Sequence, residues 1–342
     1  MSTPVSRSDA TSEWTRKKLE KFTALFLNQD IGSLAPLIFF VALIVVFGAA
    51  EPRVFLSEGN LTSILNNGAV LAILACGLTI VLVVGEFDLS IAAAASFGGA
   101  LAAVLVAQHG WPLAPTIIAV VLSGVVIGVS NGILVTRFEM PALIATIGVA
   151  SLLDGLTLWI TGNAVIFTNF SDAFLISGGW SIGNIQAPVF YLLAVALVLA
   201  VALQYTATGR WLYATGGNRA ASRMAGIRID RQIMLAFVVA DVLGALAGFI
   251  YTARQGSLTP QFGTGFLLPT FAAAFLGSVT LSRRSFHVVG TLVGVYLIET
   301  GTVGLLILGA PAYTQQLFAG AVLILATMGA RYRGRGGSIR RS

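Results

Sequence analysis

The chain has 342 residues, of which 56% are hydrophobic and only 10% charged, with a mean hydropathy of +0.89. A soluble domain carries roughly 25% charged residues, so this composition excludes a water-soluble fold and leaves a multi-span helical membrane protein. The net charge of +6 does not signal nucleic-acid binding, because the basic residues segregate by membrane side.

Residues 1–30 form a polar tail that holds all three lysines, Lys17, Lys18 and Lys21. Its stretch Trp14 to Phe26 is weakly amphipathic and is read as a helix on the inner surface. Apolar segments follow at roughly 31–50, 61–84, 88–107, 113–136, 141–161, 188–205, 232–252, 264–281, 287–308 and 312–330. Each is long enough to cross about 30 Å of hydrocarbon. The expected fold is therefore all-α, with about ten transmembrane helices and both termini cytoplasmic. Charge supports that count. With the N-terminus inside, Arg137, the five arginines of 206–231, Arg283, Arg284 and the tail 331–342 all fall inside, and only Arg53 and Arg254 fall outside. The segments 88–107 and 264–281 are flanked by glycine and polar residues and are candidates for broken or re-entrant helices. The connection 162–187, with Trp180, is the longest outer loop. Three domains result: a tail (1–30), a membrane body (31–330) and a basic tail (331–342).

The single Cys76 lies within an apolar span and excludes an intrachain disulfide. Gly124 and Gly128, Gly244 and Gly248, and Gly290 and Gly294 are each four apart. Small residues at that spacing let helix backbones approach closely.

Acidic residues at membrane depth are costly, at least ~2.5–3.5 kcal/mol at the bilayer centre, and must face a cavity, a partner or an interface. They are Glu86, Asp88, Asp154, Asp241 and Glu299. The stretch Gly85-Glu86-Phe87-Asp88-Leu89-Ser90 is the densest. Asp88 either caps the span behind it or contacts a solute. Asn66, Asn67, Asn131, Thr146 and Thr157 add neutral polar groups suited to a hydroxylated solute. The candidate translocation path is Asn66, Asn67, Glu86, Asp88, Ser90, Asn131, Thr146 and Asp154. His109 and His287 fall at span ends and read as surface residues. No metal-ligand spacing and no nucleophile-with-base arrangement occurs, so neither a cofactor nor an enzyme active site is expected.

Thr215 to Ile227 is a polar island. Asn218 is a good N-cap and Gly226 a good C′ residue, which leaves room for about two turns of helix. Ala220, Ala221, Met224 and Ala225 share one face, and Arg219 and Arg223 the other. Like charges four apart repel, so an acidic group outside the segment is expected to face them. So short a helix is not stable alone and must lie against something. It reads either as a docking helix or as a surface loop with arginines near lipid phosphates.

Three motifs over residues 60 to 330 give the chain a family likeness. Gly85-Glu86-Phe87-Asp88-Leu89-Ser90 is similar to a Gly-Gly-Ile-Asp-Leu-Ser stretch, with Glu86 in place of the second glycine. Met140 to Gly148 is similar to a Pro-Phe-Ile-x-Thr-Leu-Gly stretch. The Thr215–Ile227 island, followed by Gly244 to Gly248, looks like a cytoplasmic coupling loop and its next span. The chain thus resembles the permease subunits of bacterial ABC sugar importers, the ribose-type branch of the branched-chain amino acid/monosaccharide permease family. The resemblance implies an ATP-driven importer in the bacterial inner membrane. Its partners would be a separate cytoplasmic ABC ATPase, an extracytoplasmic sugar-binding protein, a second permease copy and membrane lipid. The chain has no Gly-x-x-x-x-Gly-Lys-[Ser/Thr], so it cannot form a P-loop itself. Gly217, Asn218, Arg219, Ala220, Ala221, Arg223 and Gly226 then become the ATPase-coupling candidates. Alternatives are a permease for a polyol, nucleoside or branched-chain amino acid, or an ion-coupled secondary transporter using Asp154, Asp241 or Glu299.

Overall fold

The computed structural model describes residues 31–280 and 285–339. The Trp14–Phe26 surface helix and the arginines 283 and 284 lie outside the described residues. The helices in order are α1 (Ile31–Ala50), α2 (Pro52–Phe55), α3 (Glu58–Val83), α4 (Ile91–Ala103), α5 (Leu113–Thr136), α6 (Ala142–Thr161) and α7 (Asp172–Gly179). They continue as α8 (Ala187–Tyr205), α9 (Ala207–Gly217), α10 (Arg219–Met224), α11 (Ile229–Gln255), α12 (Thr264–Val279), α13 (Val288–Ile307) and α14 (Tyr313–Ile339). Among the described residues, seven helices are long and apolar enough to cross a membrane, and three shorter apolar ones bring the set to ten. These ten follow the predicted segments in order.

Helix α3 is the axis of the bundle. Every residue from Gly68 to Val84 is buried, as expected for a segment that is apolar all round. Helix α11 lies beside it and packs most extensively on α5 and α4. By contrast α6 exposes Ile144, Ile147, Leu152 and Trp159, the face of a helix that meets lipid or another apolar partner.

The paired glycines do what their spacing predicts. A side chain at Gly124 or Gly128 would strike the α11 backbone at Val242 or Val238. One at Gly290 or Gly294 would strike the α12 backbone at Gly277 or Ala273, and one at Gly248 would overlap the Ala95 carbonyl oxygen in α4. Close backbone approach replaces the hydrophobic effect as the source of packing energy in lipid. Gly248→Ala is therefore expected to destabilise the bundle by about 1–3 kcal/mol through overpacking, read as a lower melting temperature in detergent.

Both suspect spans depart from straight helices. Helix α4 ends in a π-helical turn, Val104–Gln108, a local widening that absorbs an extra residue. Helix α12 has 16 residues and contains Pro269, which removes one backbone donor. The 162–187 connection is built rather than slack. It contains α7 and a hairpin of β1 (Ser181–Ile182) and β2 (Ile185–Gln186), paired Ser181 to Gln186 and Ile182 to Ile185. Phe174 of α7 is fully buried between Phe170 and Phe249. Backbone bonds between Ile166 and Leu258 tie this loop to the chain just past α11.

One expectation is corrected. His287 is buried, not a surface residue, and its Nδ1 lies 3.1 Å from the Ser285 carbonyl. It precedes α13 directly, and the tight α12–α13 contact at Gly290 covers it. The last apolar span, Tyr313–Met328, matches the expected 312–330, and the helix that holds it continues to Ile339.

Candidate functional site

Two polar centres lie near opposite ends of α3, separated by about 24 Å of helix at 1.5 Å per residue. The first is built on the turn that leaves its C-terminal end. Gly85 takes a left-handed conformation, φ +82°. Its N–H donates to the Leu82 carbonyl and that of Glu86 to the Val81 carbonyl, the pairing of a Schellman stop. The chain then runs without helix through Phe87 and Asp88 before α4 begins.

Asp88, Ser90, Asn131 and Asp241 meet here, all fully buried. The Asp88 carboxylate accepts from the Ser90 N–H at 2.8 Å and from the Ser90 hydroxyl at 2.6 Å. The Asn131 amide donates to Ser90 Oγ at 2.8 Å and to Asp241 Oδ2 at 2.9 Å. The network joins the 85–90 turn to α5 and α11. Thr146 of α6 completes the frame, since its hydroxyl accepts from the Leu89 N–H at 3.1 Å and donates to the Ala142 carbonyl. Asp88 Oδ2, Asn131 Oδ1 and Asp241 Oδ1 are buried without a hydrogen-bond partner in the structure. Buried acceptors are normally satisfied, so these three oxygens are available to a donor such as a hydroxyl or a proton. Ser90, not Asp88, is the N-cap residue of α4, and Asp88 closes a turn onto it through the Ser90 N–H.

Of the path candidates, Asp88, Ser90, Asn131 and Thr146 converge. Asp241 belongs with them, although the candidate set did not include it; the signal was its acidity at membrane depth. Glu86 is two residues away but turns from the network toward α10. Asp154 lies on α6, partly exposed, with one carboxylate oxygen buried and unpartnered. Thr157, one turn further on, is buried and likewise unpartnered.

Asn66 and Asn67 belong to the second centre, organised by Arg254 at the end of α11. The Arg254 guanidinium donates to Gln186 Oε1 at 2.6 Å, to the Asn66 carbonyl at 3.2 Å and to Asn67 Oδ1 at 2.7 Å. The Asn66 amide in turn donates to the Asn184 carbonyl, and its oxygen accepts from the Gln186 N–H. Three elements are thus clamped by one planar fork, which the point charge of lysine cannot reproduce. Arg254→Lys is expected to cost about 2 kcal/mol of stability, measured as thermal unfolding in detergent, with the Asp88 centre undisturbed.

Helix α10 forms as predicted. The Asn218 side chain accepts from the Ala221 N–H at 3.0 Å. Gly226, φ +79°, ends the turn, with the Gly226 and Ile227 N–H groups donating to Arg223 and Ser222. Only Ser222 is buried; Ala220, Ala221 and Ala225 are exposed, and Met224 is 91% exposed. Beside it lies a cleft of about 230 Å³ lined by Trp211, Ala225, Gly226, Ile227, Arg228, Arg231 and Gln232. The acidic group expected opposite the arginines is Glu86, which pairs with Arg219.

The family described as "Branched-chain amino acid transport system / permease component" matches residues 60–327. The ribose import permease protein RbsC of Escherichia coli (strain K12) is 33% identical over 310 residues, 90% of this chain and 95% of that protein. The ribose import permease protein RbsC of Bacillus subtilis (strain 168) is 33% identical over 299 residues, 86% of this chain and 91% of that one. The autoinducer 2 import system permease protein LsrC of Salmonella typhi is 32% identical over 284 residues, 83% and 81% of the two chains. No solved structure matches. Matched along nearly its whole membrane region, the chain belongs to the family of branched-chain amino acid transport system permease components and is a multi-pass transport subunit rather than an enzyme.

Proposed function

We propose that this chain is the membrane-spanning permease of an ATP-driven bacterial importer for a ribose-like monosaccharide. It sits in the cytoplasmic membrane as one of two copies. A separate ATPase drives it and an extracytoplasmic binding protein delivers the sugar. The observation that carries the reading is the near full-length similarity to ribose import permeases from two distant bacteria. The geometry supports it: α10 offers a partner an exposed apolar face, and Asp88, Asn131 and Asp241 offer free acceptors to hydroxyls.

In this reading both termini and the 206–231 loop face the cytoplasm, and 162–187 caps the outer side. The ATPase docks on Gly217, Asn218, Arg219, Ala220, Ala221, Arg223 and Gly226. Nucleotide-driven closure shifts the population from outward-open to inward-open. The path runs through Asp88, Ser90, Asn131 and Thr146, with Asp154 beside it and Asn66 and Asn67 at its outer mouth.

Uptake in proteoliposomes holding the permease, its cognate ATPase and its binding protein is the test. D-ribose accumulation that requires internal ATP is the expected result. Accumulation by the permease alone, driven by an ion gradient, would replace this reading with a secondary transporter. The autoinducer 2 relatives make that molecule the competitor to include: preferential uptake of it would change the solute and leave the machine intact.

A further inference from the structure

The docking helix and the buried network touch the same short turn. Gly216, in the last turn of α9 that leads into α10, packs directly on the carbonyl of Val83, the last residue of α3, where a side chain would overlap the oxygen. Three residues later Arg219 reaches across 133 positions of sequence to the Glu86 carboxylate. Between those two contacts sits Gly85, and two residues beyond Glu86 is Asp88, bonded to Ser90. The two contacts differ mechanically. A van der Waals contact resists compression and transmits a push, but it opens freely when pulled. A charge-assisted hydrogen bond holds in both directions. The pair adds little to stability, because half of the Arg219 side chain is open to water. Its Glu86 partner is nearly buried, so the geometry of the bond is kept.

We infer that Arg219 and Glu86 are positioning residues that let the docking helix pull the 85–90 turn, so that its retreat as well as its approach moves the Asp88 network. The inference rests on the importer reading, which makes α10 the moving part. Gly216 against Val83 carries the inward stroke. Arg219 on Glu86 carries the return. Without the bond, the helix can still dock and the ATPase still turn over, but the turn is left behind on the return stroke.

The test uses the reconstituted permease, ATPase and binding protein, with D-ribose as probe. Glu86→Ala and Arg219→Ala are each expected to lower D-ribose taken up per ATP hydrolysed by about tenfold. The ATPase is expected to co-purify with Glu86→Ala, which lies outside the docking surface, as it does with wild type. The charge exchange Glu86→Arg with Arg219→Glu is expected to restore most of the ratio. A wild-type ratio in either single variant, or no recovery in an assembled exchange variant, would overturn the inference. A solute-free measurement separates it from the sugar assignment. A spin label at Phe87→Cys, in a Cys76→Ala background, is expected to change its spectrum on nucleotide trapping, and not to change when Glu86→Ala is added. An identical response with and without the Glu86 carboxylate would also overturn it. Failure of wild type to take up D-ribose would count against the sugar alone, with the label still deciding the link.

Discussion

Ala221→Asp is expected to abolish coupled uptake while the membrane bundle stays folded. Ala221 is the third residue of α10, and its N–H is already capped by Asn218. An acid in the first turn suits the positive end of a helix, so the substitution does not unwind α10. The side chain, however, points from an exposed face that also carries Ala220 and Met224. Burying a carboxylate there against an apolar partner surface leaves it without its water. A loss of about 2 kcal/mol at a central contact corresponds to roughly 30-fold weaker docking. Uptake per ATP should fall by at least that order, with the melting temperature of the isolated permease unchanged. Ala221→Ser, which adds no charge, should behave nearly as wild type. Normal uptake by a well-folded Ala221→Asp protein would remove α10 from the coupling path.

Asp88→Ala has the second large effect, on two quantities at once. The carboxylate satisfies the Ser90 N–H and hydroxyl in a site with no exposure. Stranding those donors costs about 1–3 kcal/mol each, so the variant should melt lower as well as transport less. Asp88→Asn separates the two roles. Its amide oxygen can still accept from the Ser90 N–H, so stability should stay within about 1 kcal/mol of wild type. It lacks the second acceptor oxygen, and uptake should still fall by at least tenfold if that oxygen meets the solute or a proton. Wild-type uptake by Asp88→Asn would make Asp88 a turn-closing residue and nothing more.

Much of this molecule was legible from its residues alone. Hydropathy over windows of about twenty residues set the ten spans and their order, because backbone in lipid has few ways to satisfy its own hydrogen bonds. Asn218 and Gly226 marked the ends of α10 because capping is local chemistry, decided within four residues. The glycine pairs marked the close helix contacts for the same reason: a missing side chain leaves one thing to do at that spacing. Even the need for an acid opposite Arg219 followed from two like charges on one helix face.

Which acid it was did not follow. Glu86 lies 133 positions from Arg219, and no local rule joins the end of α3 to a helix after α8. The same limit explains the path candidates. Polarity at membrane depth picked out Asn66, Asn67, Asp88 and Asn131 together. Packing then sent the first two to Arg254, bonded Asp88 to Ser90, and set Asn131 between Ser90 and Asp241. His287 read as a surface residue because span ends usually are, and the Gly277–Gly290 contact buried it. Local propensity and solvent preference are properties of short stretches and are written in the residues themselves. The pairing of distant polar groups is decided when helices choose neighbours, and only the assembled bundle contains that choice.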